Sequence, residues 1–324
     1  MAYREARAAG ATVDAVRIDG RAVAAKIVEE CRQYAAALSA QFGVVPHLAV
    51  VLVGDDPASG VYVRAKERTS ARAGIRSTVR RMPNSSTTSD VCTAIDELAA
   101  DPGVHGIIVQ LPLPPAIDAG EVLSRIPVQK DADGFHLYNL GSLLLGRSVF
   151  PPCTPEGVMR LLDDTGINLV GANVVVVGAS NIVGKPMAMM ALHREATVTI
   201  CHAKTRDLTE HTRLADVLIC AVGQQGLITG EMVKPGAVVV DVGINRLQDG
   251  SIVGDVDVAT VAAKASYLTP VPGGVGPMTV AVLISNTVRA AVRSVGLPAP
   301  RPDELVEVPS TPGVDGGPAC GRPP

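Results

Sequence analysis

The sequence predicts an α/β fold with two α/β domains, the second a Rossmann-like, doubly wound parallel sheet. Short apolar runs alternate with segments of helical periodicity along two successive stretches of the chain. The apolar residues are mainly Val, Ala and Leu rather than aromatic, which suits parallel strands that are buried on both faces. At 324 residues the chain is long enough for two such domains.

The first domain is predicted to span residues 1–150, beginning with a loose extension over 1–16. Its predicted elements are a helix over 21–38, a strand over 47–53, a helix over 57–73, a strand over 76–82, a helix over 88–100 and a strand over 106–110. Apolar residues on one face predict the first helix, and Thr88-Ser-Asp90 is typical of a helix cap. The last strand must end at Gln110, because the Leu-Pro-Leu-Pro-Pro run that follows cannot continue a sheet.

The second domain is predicted to span residues 151–278. Thr154 and Pro155 are expected to be the cap and the first residue of a helix that reaches Leu162. Strands are predicted over 172–177, 197–201, 217–221 and 237–242, with a tight turn at Asp249-Gly250 before a short strand at 252–253. A last helix is predicted over 279–295. The tail over 297–324 is rich in Pro and Gly and is predicted to be disordered.

Composition argues against several classes of protein. The net charge of −3, without any block of Lys or Arg, argues against nucleic acid as a main partner. No uninterrupted apolar run reaches the ~18–20 residues that span a bilayer, so no membrane association is expected. The N-terminus lacks the apolar segment of a secretory signal. The six cysteines show no metal-ligand spacing, and they indicate a reduced, cytoplasmic protein without a metal site.

Tyr62 and Lys66 form the most informative pair in the chain. Their i, i+4 spacing places both side chains on one face of a helix, about 5–6 Å apart at Cβ. The helix follows an apolar strand, and ligands of α/β proteins bind at the carboxyl ends of strands. A lysine in such a place can be desolvated into a proton-transfer group. The alternative is an ordinary amphipathic helix with a solvated lysine and a part-buried tyrosine.

Three further polar residues are expected near that pair. Gln110 ends a strand of the same domain, and Asp131 and Asp133 lie in a turn. Taken singly, Gln110 could be a strand cap and the two aspartates could be turn formers. The Pro-Gly stretch over 270–277 could likewise be only a stiff linker.

A glycine-containing loop begins the second domain's first strand-to-helix turn. In Val177-Gly-Ala-Ser-Asn-Ile-Val-Gly184, backbone N–H groups and a helix N-terminus could face a pyrophosphate. The loop departs from GxGxxG, so a plain turn is the alternative, but three further strands in doubly wound order favour a dinucleotide. The end of the next strand and the residues after it, 200–206, include Lys204 and Arg206 and no carboxylate, which favours NADP over NAD. Solvated loop charges are the alternative for those two cations.

Together these segments resemble the bifunctional methylenetetrahydrofolate dehydrogenase/methenyltetrahydrofolate cyclohydrolase family. The matching blocks are VGDDPAS at 53–59, YVRAK at 62–66, GIIVQLPLP at 106–114, KDADG at 130–134, PCTP at 152–155, VGASNIVGKP at 177–186, VDVGIN at 240–245 and PVPGGVGPMT at 270–279. They run in family order across residues 18–296. The resemblance implies that folate lies in a cleft between the two domains, and that the C-terminal helix over 279–296 returns to complete the first domain.

The resemblance also implies two reactions and a place in one-carbon metabolism and purine biosynthesis. NADP accepts a hydride from 5,10-methylenetetrahydrofolate to give 5,10-methenyltetrahydrofolate, and water then opens the ring to 10-formyltetrahydrofolate. The hydride step needs mainly alignment of the two ligands. Hydrolysis needs a proton acceptor, and Lys66 is the candidate because burial disfavours an ammonium. Gln110 would hold the amine, and Tyr62 would pack on the folate and orient Lys66.

Binding residues follow from the same resemblance. Asp133 would pair with the donor-rich edge of the pterin, and Pro272, Gly273 and Gly274 would line the folate pocket. The residues expected at the cofactor are Gly178, Ala179, Ser180, Asn181, Ile182, Gly184, Lys204 and Ile244. Family members usually form a homodimer through the nucleotide domain.

Two departures from the family bear on the cofactor. Ala203 stands where the family often has Ser or Arg, and Ala179 lacks an arginine found in some members. Lys204, Arg206 or Lys185 could supply the missing charge, and NAD stays possible. Two other functions stay open: a dehydrogenase without useful cyclohydrolase activity, and a non-catalytic folate or nucleotide sensor.

Overall fold

A computed structural model describes residues 14–298 of the chain. Most of the predicted N-terminal extension and nearly all of the predicted disordered tail lie outside these residues. Within them the chain forms two parallel sheets joined through a long C-terminal helix. The two-domain α/β prediction is confirmed.

The first half of the chain builds a three-stranded parallel sheet in the order β3-β2-β4. Its elements are α1 Gly20–Phe42, β2 His47–Val53, α2 Pro57–Arg72, β3 Arg76–Met82, α3 Thr88–Ala100, β4 Gly106–Val109, α4 Ala119–Arg125 and α5 Leu137–Leu144, and they follow a short strand, β1 Val16–Arg17. All seven residues of β2 are buried, because alternate side chains enter different cores on the two faces of the sheet. This explains why the strand reads as a continuous apolar run.

The second half builds a six-stranded parallel sheet in the order β1-β11-β8-β7-β5-β6. Its elements are α6 Cys153–Asp164, β5 Asn173–Val177, α7 Gly184–His193, β6 Thr197–Cys201, α8 Leu208–Thr212, β7 Val217–Cys220, β8 Val238–Asp241, β9 Asn245–Arg246, β10 Ile252–Val253, α9 Val258–Val261, β11 Tyr267–Leu268 and α10 Val275–Ser294. The short strands β9 and β10 form a separate antiparallel pair. Strand β6 lies at one edge of the large sheet and β1 at the other.

The N-terminal strand corrects the predicted organisation. Residues 1–16 were expected to be a loose extension of the first domain, yet Val16 and Arg17 pair with Tyr267 and Leu268 of the second sheet. Neither β1 nor β11 was predicted, because two residues are too few to show a period of two.

Three helices begin at residues other than the predicted ones. Thr87, not Thr88, caps α3, with a reciprocal capping box to Asp90. Helix α6 begins at Cys153, so Thr154 is inside the helix and its hydroxyl is bonded to Thr279 at 2.9 Å. Helix α10 begins at Val275 rather than at 279. Pro277 does not prevent the earlier start, because N–H groups in the first turn of a helix have no helical partner and the missing N–H of a proline there costs no hydrogen bond.

Helix α10 is the central packing element. It packs against α1 and α6 and also meets α2 and both β2 and β4. Among the described residues it is the one helix long and apolar enough to cross a membrane, and 78% of its apolar window is buried inside the protein. Such burial is typical of a core helix.

Candidate active site

A cavity of about 350 Å³ lies between the two sheets, where strands of both domains end. From the first domain it is lined by Tyr62, Lys66, Val109, Gln110, Leu111, Asp133 and Phe135; from the rest of the chain by Thr154, Ile182, Val183, Val242, Ile244, Val275, Gly276, Thr279 and Val280. Gln110 follows β4, Ile182 follows β5 and Val242 follows β8, so the cavity occupies the carboxyl edges of both sheets. This is where α/β folds bind ligands.

Lys66 and Gln110 meet in this cavity. The Lys66 Nζ donates to Gln110 Oε1 at 3.0 Å, and Gln110 Nε2 donates to the carbonyl of Leu111 at 2.6 Å. Both residues are buried, at 9% and 8% exposure. The second bond fixes which end of the amide faces the lysine, so Gln110 presents an uncharged acceptor to the amine.

The two aspartates of the 131–134 turn have different tasks. The Asp131 carboxylate accepts from the backbone N–H groups of Gly134, Phe135 and His136 and from Asn139 Nδ2, which ties the turn together. Asp133 instead lines the cavity with Lys66. Burial raises the pKa of Asp133, and the nearby Lys66 charge opposes that rise. Asp133 is therefore the carboxyl group available to a ligand.

A buried group behind Asp133 was missed from the sequence. Asn286 of α10 donates from Nδ2 to the carbonyls of Ala132 at 2.9 Å and Pro151 at 3.3 Å. The thiol of Cys153 donates to the same Ala132 carbonyl at 3.2 Å. These bonds fix the segment that carries Asp133. The PCTP block that contains Cys153 could be identified from the sequence, but Asn286 could not, because an asparagine inside a helix gives no local signal.

Tyr62 stands between three cavities. It lines the Lys66 cavity, a neighbouring one of about 170 Å³ and a third of about 400 Å³. Burial raises the pKa of its half-buried phenol. Pro272, Gly273 and Gly274 line the smallest of the three, which adjoins the Lys66 cavity rather than belonging to it.

The glycine loop after β5 requires two of its glycines. Gly178 has φ 120°, and a Cβ there would overlap the carbonyl oxygen of Ala221. A Cβ on Gly184 would overlap the carbonyl oxygen of Gly178. Ser180, in place of a second glycine, accepts from the N–H groups of Val183 and Gly184 through Oγ and so shapes the start of α7. The departure from GxGxxG is thus compensated within the loop.

The remaining predicted cofactor residues surround this loop. Lys204 lies in the exposed turn after β6. The last residue of that strand, Cys201, contacts the glycine loop, because its backbone carbonyl accepts from the N–H of Gly178 at 2.9 Å. Lys185 is bonded to Asn181 Oδ1 at 2.7 Å. Ala179 lies in the loop itself, while Ile182 and Ile244 line the Lys66 cavity. The nucleotide loop and the Lys66 cavity are therefore neighbours.

Two buried aspartates, also missed from the sequence, hold the loops beyond β7 and β8. Asp255 accepts from the N–H groups of Val222, Gly223 and Gln224, and from Asn245 Nδ2. The Asp241 carboxylate accepts from the backbone N–H groups of Gly243, Asp255 and Val256. Burial raises the pKa of Asp241 to about 6. The backbone passes so close to these two carboxylates that only glycine fits at positions 243 and 254. A Cβ on residue 243 would overlap the Asp255 carboxylate, and one on residue 254 would overlap that of Asp241.

Metal-ligating side chains do not converge in the described part of the chain. Over residues 14–298, no group of three or more His, Cys, Asp or Glu could hold a metal ion. The five cysteines in that range are free and buried.

Comparison with known proteins gives two matches to family models. Residues 18–133 match the tetrahydrofolate dehydrogenase/cyclohydrolase catalytic domain, and residues 152–295 match the NAD(P)-binding domain of the same family. The first match covers the residues from Tyr62 to Asp133, and the second covers the glycine loop.

Curated relatives and solved structures agree with the family models. The chain is 56% identical to the bifunctional protein FolD of Nitrosospira multiformis over 85% of this chain and 95% of that protein. It resembles the FolD crystal structure from Campylobacter jejuni, with 50% identity, a TM-score of 0.84, and coverage of 86% and 99% of the two chains. The Trypanosoma brucei enzyme, complexed with NADP and an inhibitor, gives 38% identity, a TM-score of 0.85, and coverage of 87% and 99%. This chain belongs to the tetrahydrofolate dehydrogenase/cyclohydrolase family.

Proposed function

We propose that one cavity, the one holding Lys66, carries out both reactions of this bifunctional enzyme. The protein oxidises 5,10-methylenetetrahydrofolate to 5,10-methenyltetrahydrofolate and hydrolyses the product to 10-formyltetrahydrofolate. The observation that carries the proposal is the buried bond between Lys66 and Gln110 in a cavity that nucleotide-domain residues also line. A substrate in this cavity lies within reach of both the amine and the cofactor side.

The hydride step depends on alignment. Bound NADP would supply the hydride acceptor, so this step requires the protein to align two ligands and requires no strong acid or base. Ile182 and Ile244 form the apolar nucleotide-domain side of the cavity. On the folate side, Asp133 would anchor the donor-rich edge of the pterin and Tyr62 would pack on the ring system.

The hydrolytic step needs a proton acceptor. Water adds to the methenyl carbon and loses a proton, and we assign the acceptance of that proton to the Lys66 amine. The bond from that carbon to N5 then breaks as N5 takes the remaining hydroxyl proton, which leaves the formyl group on N10. Gln110 would orient the amine without adding charge, because its Oε1 accepts the amine's bond while its Nε2 is occupied by Leu111. General-base catalysis of this kind contributes about 10²–10⁴-fold.

NADP is the proposed cofactor of the second domain, which is an NAD(P)-binding domain. Residues 202–206, in the turn after β6, offer Lys204 and Arg206 and no carboxylate for a ribose hydroxyl, while the carboxylate that follows, Asp207, caps α8. Comparing kcat/KM for NADP and NAD tests the assignment, and a preference for NAD would contradict it.

We also propose a homodimer in the cytoplasm. Strand β6 is an edge of the large sheet, and Ile200 on it is 38% exposed. An exposed edge strand can pair with a second copy. The free cysteines suit a reducing compartment.

Lys66→Met tests the shared cavity. Cyclohydrolase activity is expected to fall at least about 100-fold, while dehydrogenase activity persists and methenyltetrahydrofolate accumulates, because the hydride step needs no base. Absorbance of the methenyl compound and of NADPH follows both steps. Lys26→Met, at an exposed lysine paired with Asp164, is the control.

Wild-type cyclohydrolase activity in Lys66→Met would overturn the role of the lysine. Accumulation of methenyltetrahydrofolate by the unmodified protein would instead favour a dehydrogenase without useful cyclohydrolase activity.

A further inference from the structure

One carboxylate joins the nucleotide side of the second domain to the cavity that holds Lys66. Asp255 follows β10 and is fully buried, at 0% exposure. Its Oδ2 accepts from the backbone N–H groups of Val222 and Gly223 at 2.7 and 3.0 Å, and its Oδ1 accepts from that of Gln224 at 2.9 Å. Three consecutive N–H groups that converge in this way form a nest for an anion. Here the anion is a side chain of the protein itself.

The loop that Asp255 holds lies against the glycine loop. The carbonyl oxygen of Ala221 is so close to Gly178 that a Cβ on the glycine would overlap it. A shift of residues 222–224 would therefore move the backbone on which the glycine loop packs.

The same carboxylate holds the segment after β8. Asn245 donates from Nδ2 to Asp255 Oδ1 at 2.9 Å. The residue before it, Ile244, lines the Lys66 cavity and also the neighbouring cavity of about 170 Å³. Asp255 is thus the common acceptor for a loop that packs on the glycine loop and for a segment that faces the catalytic cavity.

This arrangement is unfavourable for a role in closing loops alone. Asp241, which is 1% exposed, accepts the backbone N–H of Asp255 at 3.0 Å, so two carboxylates are buried side by side. Among residues 14–298, neither of them forms an ion pair. Burying a charge without an opposite charge is costly, and neutral groups can also close loops. Local rules of this kind are broken mainly at functional sites.

We propose that Asp255 is a positioning residue for the hydride step, and that its carboxylate fixes residues 244 and 245 relative to the glycine loop. The proposal rests on the two reactions assigned above. Hydride transfer needs two ligands aligned across the cavity, and a misplacement of about 1 Å can cost about 10²-fold in rate. The cyclohydrolase step uses Lys66 and Gln110 of the first domain, so it should depend far less on Asp255.

Asp255→Asn tests the proposal by comparing the two activities of one protein. Both oxygens of Asp255 accept from N–H donors, whereas one end of an amide is itself a donor, so the variant must set two donors against each other. Dehydrogenase kcat should fall about 10- to 100-fold, while hydrolysis of supplied methenyltetrahydrofolate without NADP should keep most of its rate. The Kd for NADP, measured by calorimetry, should rise by a smaller factor than kcat falls.

Asp257→Asn is the matched control. This partly exposed aspartate lies two positions further along the chain, and its carboxylate accepts from Thr260 Oγ1 at 2.7 Å. The same substitution there should leave the ratio of the two activities unchanged.

Asn245 supplies a second pair of variants, which decide the matter if Asp255→Asn does not fold. Asn245→Ala removes one donor and should lower dehydrogenase kcat by a smaller factor. Asn245→Asp has nearly the same shape but sets a second carboxylate against Asp255. It should therefore lower dehydrogenase kcat further than the alanine variant does.

Equal losses of both activities in the folded variants would overturn the proposal, because they would indicate a general loss of structure. So would an unchanged dehydrogenase kcat, with or without weaker binding of NADP. Failure of the wild type to oxidise methylenetetrahydrofolate with NADP would count instead against the catalytic assignment, so the two failures are distinguishable.

Discussion

Single residues in this protein owe their roles to neighbours distant in sequence. Lys66 and Gln110 are 44 positions apart and share a buried hydrogen bond. Both could be identified from the sequence because each lies in a distinctive block, Lys66 inside helix α2 and Gln110 directly after strand β4. Asn286 could not, because its only sign is a polar residue within an apolar helix, and its partners follow from tertiary packing.

His105 gives the first domain a dependence on pH. It is 6% exposed and accepts the backbone N–H of His47 through Nδ1 at 3.2 Å. Burial, aided by the charge of His47, lowers its pKa from 6.5 to about 4. Between these values the unfolded chain binds a proton that the folded chain does not. The associated stability is therefore present above pH 6.5 and lost as the pH falls towards 4.

His105→Asn should flatten this dependence, because the amide oxygen can still accept the bond while nothing titrates. Urea unfolding at pH 7 and pH 4.5 measures it. The variant should lose less stability between these pH values, by up to about 3 kcal/mol at 1.36 kcal/mol per pKa unit. His202→Asn, at an exposed histidine that also accepts a backbone bond through Nδ1, is the matched control. An unchanged pH dependence in His105→Asn would contradict the assignment.

At the scale of elements, the sequence predicted most of the architecture. Long buried strands such as β2 and the helices between them show clear periods, so their bounds fell within a few residues. The prediction failed for very short elements such as β1. It also misplaced the first residues of α3 and α6, because the capping interactions that set where a helix begins were assigned to the wrong residues. The glycine loop was located, but Asp241 and Asp255 were not predicted to hold the loops beside it, since the donors are backbone groups brought together only by folding.

The edge strand β6 is the element on which the proposed homodimer depends. Ile200→Lys would place a charge in a strand-to-strand contact between copies and should convert a dimer into a monomer. Light scattering measures the molar mass. Val45→Lys, at a valine 46% exposed in the loop before β2 of the other sheet, should leave the mass unchanged. A wild-type protein that is monomeric at micromolar concentration would contradict the proposal.

At the scale of the whole molecule, α10 connects the parts that form the site. Through Asn286 it bonds the carbonyls of Ala132 and Pro151, which flank the interdomain connection. Arg289, one turn later, donates to Asn286 Oδ1 and to the Val149 carbonyl. The position of Asp133 therefore depends on a helix contributed by the end of the chain.

Asn286→Ala should loosen the folate side of the cleft. Two carbonyls lose a donor, at a cost of about 1–3 kcal/mol, and the midpoint of thermal unfolding should fall by a few degrees, at roughly 2–4 °C per kcal/mol. KM for methylenetetrahydrofolate should rise more than KM for NADP. Ser294→Ala, near the end of the same helix, is the control. Equal changes in both KM values would indicate a general loss of structure instead.

The path of the chain also affects how the protein can be made. The first strand belongs to the second sheet, and the last helix fills the core of the first domain. On the ribosome, the first domain must therefore wait for residues beyond 275 to emerge before its core can close. A gene cut near residue 150 would separate the first domain from its core helix α10 and the second sheet from its edge strand β1, so the first half is not expected to be a self-sufficient folding unit.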